Sequence, residues 1–249
     1  MIAALLLNLV VMQAFSEGVK TPYTDRVQAL VSDEKPAPAS FLLKCWTDPK
    51  NDLYMGVEQR LKIHAPLAAV TAVLDAVDEY DELFPGFKKI NLVSKSENHF
   101  VVHFEQVVPV FFIPNIKYEM LYTELTPNPQ KKIYEYQLKT AGTIKSSDGL
   151  IILTQNEDNA TTYTEYDFFD AEWGAAKFAG KTKLWHDSVE GIYFSDLAIK
   201  LKSEDPKLKP QMARELAKKS AEGSLVDTCV KNRSEWPKDW APQAQSTPH

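Results

Sequence analysis

The sequence predicts an α+β fold, a curved antiparallel sheet of about seven strands around a long C-terminal helix. Three observations predict it. An early strand is followed by one amphipathic helix. Six strand-like segments then succeed one another through short polar links, which make neighbours antiparallel. A long helical segment closes the order, and a helix laid across a sheet buries the apolar face of both.

The elements follow in order. Tyr54 to His64 reads as a strand with Val57, Gln59, Leu61 and Ile63 on one side of the pleat. Ala65-Pro66 then starts a helix, since proline suits a first helical turn. Leu67, Val70, Val73, Leu74 and Val77 recur at three- and four-residue spacing and form one apolar stripe. Phe84-Pro85-Gly86 marks a turn. Strands are expected at 88–95, 99–108, 116–126, 131–140, 144–156 and 160–172. Pro109 and Pro114 flank an apolar kink that reads as a loop or an edge, because proline cannot donate to a ladder. Residues 181–202 are helical, and Glu215 to Asn232 suggests a final helix after breaks at Asp205-Pro206 and Lys209-Pro210. Phe41 to Trp46 is a short helix or strand packed on the domain.

The chain has 249 residues, 44% of them hydrophobic and 25% charged, enough for a sizeable core. Its net charge of −6 and the lack of a dense Lys/Arg patch argue against nucleic acid as a partner. Transient membrane contact stays compatible with this composition, and oligomeric state is not legible. Residues Ile2 to Met12 form an apolar run, and Ala14 and Ser16 fit a cleavage site, so 1–16 reads as an export signal. The expected organisation is an extension over 17–52, a domain over 53–203 and a C-terminal helix and tail over 204–249. Cys45 and Cys229 lie in the two extensions. Export permits a disulfide between them, and two separate buried thiols are the alternative.

The residues Ile63-His64-Ala65-Pro66, then Val70, Val73, Leu74-Asp75, Tyr80 and Phe84-Pro85-Gly86 resemble the START-like (helix-grip) superfamily, in particular its polyketide cyclase and coenzyme-Q-binding group. The resemblance spans about residues 53 to 202. It implies a sheet gripping the C-terminal helix with an apolar cavity between them. It implies a hydrophobic small-molecule ligand, held as carrier or sensor. It transfers no catalytic residue, because the matched motif is structural.

Candidate lining residues come from both layers. In the helix, Trp185, Val189, Ile192, Tyr193 and Ile199 share one face, beside a strip of small residues, Ser188, Gly191, Ser195 and Ala198. Dense packing makes close approach of helix and sheet the default reading of that strip, and a hollow the alternative. Under the second reading Trp185 and Tyr193 would flank the hollow. From the strands the candidates are Phe104, Met120, Tyr122, Tyr136 and Phe168. Catalytic signals are sparse. No metal-ligand spacing, nucleophile elbow or phosphate-binding glycine loop occurs, so no cofactor or metal is expected. Glu105 and Asp167 are strand carboxylates that suit acid–base work, and a solvated sheet face is the other, favoured reading. An enzyme of the cyclase, aromatase or dehydratase type would need polar side chains meeting in the cavity, with His103, Glu105 or Tyr122 as candidates. An interaction module in the envelope is the third expectation, motivated by the Trp-containing tail.

Overall fold

The computed structural model describes residues 38, 41–48, 54–107, 115–140, 144, 146–170 and 180–235. The leader at 1–16, the kink between Pro109 and Pro114 and the tail from Trp236 lie outside the described residues.

The strands are β1 (Leu42–Thr47), β2 (Tyr54–Ile63), β3 (Phe87–Lys95), β4 (His99–Gln106), β5 (Ile116–Asn128), β6 (Lys131–Thr140), β7 (Ser147–Gln155), β8 (Thr161–Asp170) and β9 (Ser234–Glu235). They form one sheet in the order β3-β4-β5-β6-β7-β8-β2-β1-β9. Every pairing is antiparallel except that of β9 with β1. The seven expected strands are β2 to β8. The segment at Phe41 to Trp46 resolves to a strand, β1, and with β9 it extends the sheet beyond β2.

The helices are α1 (Leu67–Asp75), α2 (Tyr80–Leu83), α3 (Lys181–Glu204), α4 (Pro210–Ser220) and α5 (Gly223–Lys231). Pro66 stands just before α1 rather than inside it, in extended conformation. The turn into β3 needs its glycine, since Gly86 sits at φ 82, a left-handed conformation that side chains resist. The single final helix expected over 215–232 is two helices. The chain is extended at Ala221, and α4 begins five residues earlier, with Pro210 in its first turn.

α3 packs against α1, α4, α5 and β2. Two apolar clusters lie beneath it. The larger joins Leu61, Ile63, α1, the inner faces of β4 to β8 and the C-terminal half of α3. The smaller joins Cys45, Met55 and Val57 of β1 and β2 to Leu184, Trp185, Val189 and Tyr193 of α3 and Val226, Cys229 and Val230 of α5. A disulfide joins Cys45 to Cys229 across this second cluster, with Cα atoms 5.2 Å apart. Of the two readings open for these cysteines, the bridge is the one realised.

Candidate functional site

Between α3 and the sheet lies a cavity of about 260 Å³. Its roof is the small-residue strip of α3: Ser188, Gly191 and Ser195 line it, flanked by Ile192 and Asp196. A Cβ built on Gly191 would meet nothing within 4 Å, so the strip opens a hollow instead of admitting the sheet. The close-approach reading fails along this stretch, where Ser188, Gly191 and Ser195 border open space. Ala198 alone of the strip is buried in the core.

One part of the wall is aromatic. β4 and β5 pair with Phe104 opposite Tyr118 and Phe100 opposite Tyr122, so their rings stack, with centroids 5.1 Å and 4.7 Å apart. Phe104, Tyr118, Met120 and Tyr122 face the cavity from these strands, and Phe84 and Phe87 from the turn beside α2.

The other part is acidic. β8 sends Tyr163, Glu165 and Asp167 into the cavity, β6 sends Tyr136, and α3 sends Asp196. The Tyr136 hydroxyl donates to Asp167 and lies 3.1 Å from Glu165 Oε1. The Tyr163 hydroxyl donates to Glu165 Oε2 at 2.9 Å. Tyr136 reaches across because Gly149 of β7 has no side chain: a Cβ there would overlap the Tyr136 hydroxyl and the Tyr166 carbonyl oxygen. Asp196 is 1% exposed; Glu165 and Tyr163 stand near enough to interact with its carboxyl as hydrogen-bonding neighbours, yet neither of its oxygens meets a partner in full hydrogen-bond geometry.

Burial and the proximity of like charges govern the protonation of this cluster. Burial, then the charge of Asp196, pushes the Glu165 carboxyl well above its ordinary range. Burial, then Glu165, does the same to Asp167. Asp196 is pushed up to about 7, chiefly by burial. The Tyr136 and Tyr163 hydroxyls are raised by burial and by these carboxyls, and stay protonated donors. Among the described residues lining the cavity there is no Lys, Arg or His. Glu165, Asp167 and Asp196 lower their charge by holding protons.

The candidate lining residues divide. Phe104, Met120, Tyr122, Tyr136, Ser188 and Ile192 line the cavity. Phe168, Trp185, Val189 and Tyr193 do not. Trp185, Val189 and Tyr193 point from α3 into the smaller cluster, and Tyr193 accepts a bond from the Glu222 backbone N–H at 3.4 Å. Phe168 occupies the opposite phase of β8 from Glu165 and Asp167, so it is buried on the other face of the sheet. Asp167, expected on a solvated face, lines the cavity instead. His103 and Glu105 alternate with Phe104 and face away from the helix. There the Asn115 amide and the Lys88 ammonium hold the Glu105 carboxyl below its ordinary range. His186 lies 3.3 Å from Asp227 of α5, away from His103. The residues that sequence reasoning missed are Tyr163, Glu165 and Asp196. The detectable signal is pairing: Val57, Gln59 and Leu61 share a face, and their partners on β8 are Asp167, Glu165 and Tyr163.

No family model matches the chain, and no curated protein matches it. Among solved structures, human STARD10 matches with TM-score 0.51 and 12% identity, over 80% of this chain and 89% of its own. A STAR-related lipid transfer protein from Xanthomonas axonopodis matches with TM-score 0.48 and 11% identity, over 74% and 97%. The Zhui aromatase/cyclase from a Streptomyces species matches with TM-score 0.41 and 17% identity, over 71% and 90%. With the strand order and the helix packed across the sheet, the likeness to human STARD10 establishes that this chain has the START-like helix-grip fold.

Proposed function

We propose that the chain binds a hydrophobic small molecule, a lipid, quinone or similar compound, in the cavity beneath α3, and serves as its carrier or sensor. The observation that carries this reading is the hollow itself: a helix strip of Ser188, Gly191 and Ser195 facing a wall of stacked aromatic rings. Binding sites are concave and mostly apolar, with a few placed polar groups, and this cavity has that composition. The test is extraction of protein purified from its native host, with mass spectrometry of what is released. An apolar compound in near-stoichiometric amount is expected from the parent protein, and none from Gly191→Leu, whose side chain would occupy the hollow. Equal recovery from both would sink the reading.

A second reading is supported by the same cavity. Carboxyls with raised affinity for protons suit general acid–base work, so Glu165, Asp167 and Asp196 also fit an enzyme of the cyclase or dehydratase type. Of the earlier candidates for such chemistry, Tyr122 and Asp167 face the cavity. Recovery of the bound compound unchanged after prolonged incubation favours carriage, and its conversion favours catalysis.

We also propose that the chain acts after export, with 1–16 removed. The Cys45–Cys229 disulfide supports this, since such bonds persist in oxidising compartments. N-terminal sequencing of the protein from its host checks it: a start within the leader would refute the cleavage.

A further inference from the structure

Among the described residues the acidic part of the cavity has no cationic lining side chain, and this specifies what a ligand has to bring. We propose that the cavity takes an amphiphile whose polar end is a protonated primary or secondary amine, seated on Asp196, with Glu165 and Asp167 beside it. The inference rests on the ligand-binding reading above and narrows it.

Four observations lead there. Asp196 lines the cavity, is 1% exposed, and has both carboxyl oxygens without a partner in full hydrogen-bond geometry. An unpaired buried acceptor is costly, and a donor from the ligand removes that cost. Glu165 and Asp167, in contrast, already accept from the Tyr136 and Tyr163 hydroxyls in good geometry, which leaves Asp196, with only poorly aligned neighbours, as the least satisfied acceptor. Third, no Lys, Arg or His is among the described lining residues. Among the described lining residues a phosphate or carboxylate head would meet five acidic side chains, Glu165, Asp167, Asp170, Asp187 and Asp196, and no cation, so anionic amphiphiles are disfavoured. Finally, the aromatic wall of Phe104, Tyr118 and Tyr122 offers the apolar contact that a hydrocarbon body needs.

The number of donors separates an amine from other heads. An ammonium with two or three N–H groups supplies both the countercharge and enough donors for Asp196 and a neighbouring carboxyl. An alcohol supplies one donor and no charge. A quaternary ammonium supplies charge but no donor. Charge-assisted bonds are the stronger kind in a dry site.

Binding such a head also moves protons. The groups facing Asp196 are Tyr163, Glu165 and Asp167 of β8 and Tyr136 of β6, while Asp148 of β7 acts on Asp167. Glu165, Asp167 and Asp196 hold protons more tightly than usual, so an arriving ammonium drives protons off these three. Amine affinity therefore falls as the medium is acidified below neutrality.

The experiment is titration calorimetry of delipidated full-length protein with three probes: dodecylamine, dodecanol and dodecyltrimethylammonium. The amine is expected to bind about tenfold or more tightly than either of the others. Runs in two buffers of different ionisation enthalpy are expected to show proton release with the amine and none with the alcohol. In Asp196→Asn the amine preference is expected to collapse to within about threefold while dodecanol binding is kept. Should that variant fail to fold, Glu165→Gln carries the same expectation. Alcohol or trimethylammonium binding as tight as the amine would overturn the amine head and leave the hydrophobic-ligand reading standing. An unchanged preference in a folded variant would do the same. Failure of all three probes to bind would overturn both readings.

Discussion

Two faces of α3 meet different problems. Toward its N-terminus, Leu184, Trp185, Val189 and Tyr193 fill the space against β1, β2 and α5, and the Cys45–Cys229 bond clamps that packing. One face round, Ser188, Gly191 and Ser195 leave the cavity open. A single helix thus presents a solid face and a hollow face, separated by about a quarter-turn or so of its surface. The contrast teaches that a cavity in a densely packed domain needs an adjacent region that bears the load. Large side chains and a covalent bond hold the helix at a fixed height, and small side chains beneath it then stay uncovered.

Removing the solid side should have the largest effect. Trp185→Ala deletes a buried ring that also carries the Arg233 guanidinium 4.8 Å above it. A loss of about 3–5 kcal/mol is expected in denaturant unfolding. Retained stability would mean that the smaller cluster is not the support. Breaking the bond comes next. The double variant Cys45→Ala/Cys229→Ala releases a loop with a sequence separation of 184 and should cost about 2–5 kcal/mol, read as a lower midpoint in urea. Reduction of the parent protein should reproduce that shift.

The hollow side predicts smaller effects of a different kind. Gly149→Ala forces the Tyr136 hydroxyl or the Tyr166 carbonyl to move. It should cost about 1–3 kcal/mol and weaken ligand binding through the displaced hydroxyl. The carboxyl cluster gives a pH signature opposite to that of ion-paired acids. Glu165, Asp167 and Asp196 bind protons more tightly in the folded state than in the unfolded chain. The folded state is therefore favoured most when they are protonated. Stability contributed by the cluster is lost as pH rises from the ordinary carboxylate range through about 7 for Asp196. Thermal midpoints of ligand-free protein should fall over that interval, and Asp196→Asn should flatten the slope. Smallest of all, Gly191→Ala adds a methyl into open space within a helix and should stabilise by roughly 0.5–1 kcal/mol. A destabilised Gly191→Ala would show that the strip is tightly packed after all.

Much of the fold was legible because strand and helix periods are local. Tyr54–Ile63, His99–Gln106 and Lys131–Thr140 fall within a residue or two of the expected segments, and Lys181–Glu204 matches the long helix. Phe100, Val102 and Phe104 alternate along β4 and share its inner face. The failure on β8 is instructive. Tyr166 and Phe168 are the more hydrophobic phase, and hydropathy alone turns them toward the helix. Pairing with β2 decides otherwise, because residues opposite one another in a ladder share a face. Asp167 is opposite Val57 and Glu165 is opposite Gln59, so both carboxyls go inward. Similarly, Trp185 and Tyr193 were legible as buried but not as facing α5, since α5 meets α3 only after the chain turns at Ala221 and Glu222.

By itself the sequence determined the element order, the antiparallel meander and the presence of a small-residue strip on a long helix. These follow from spacing within short windows, where the side-chain period is set by backbone geometry. Only the tertiary structure decided that the strip roofs a hollow, that the two cysteines meet, and that three carboxyls converge under the helix. Each of these depends on which face of one element meets which face of another. That choice is made by long-range pairing and packing, which no local pattern encodes.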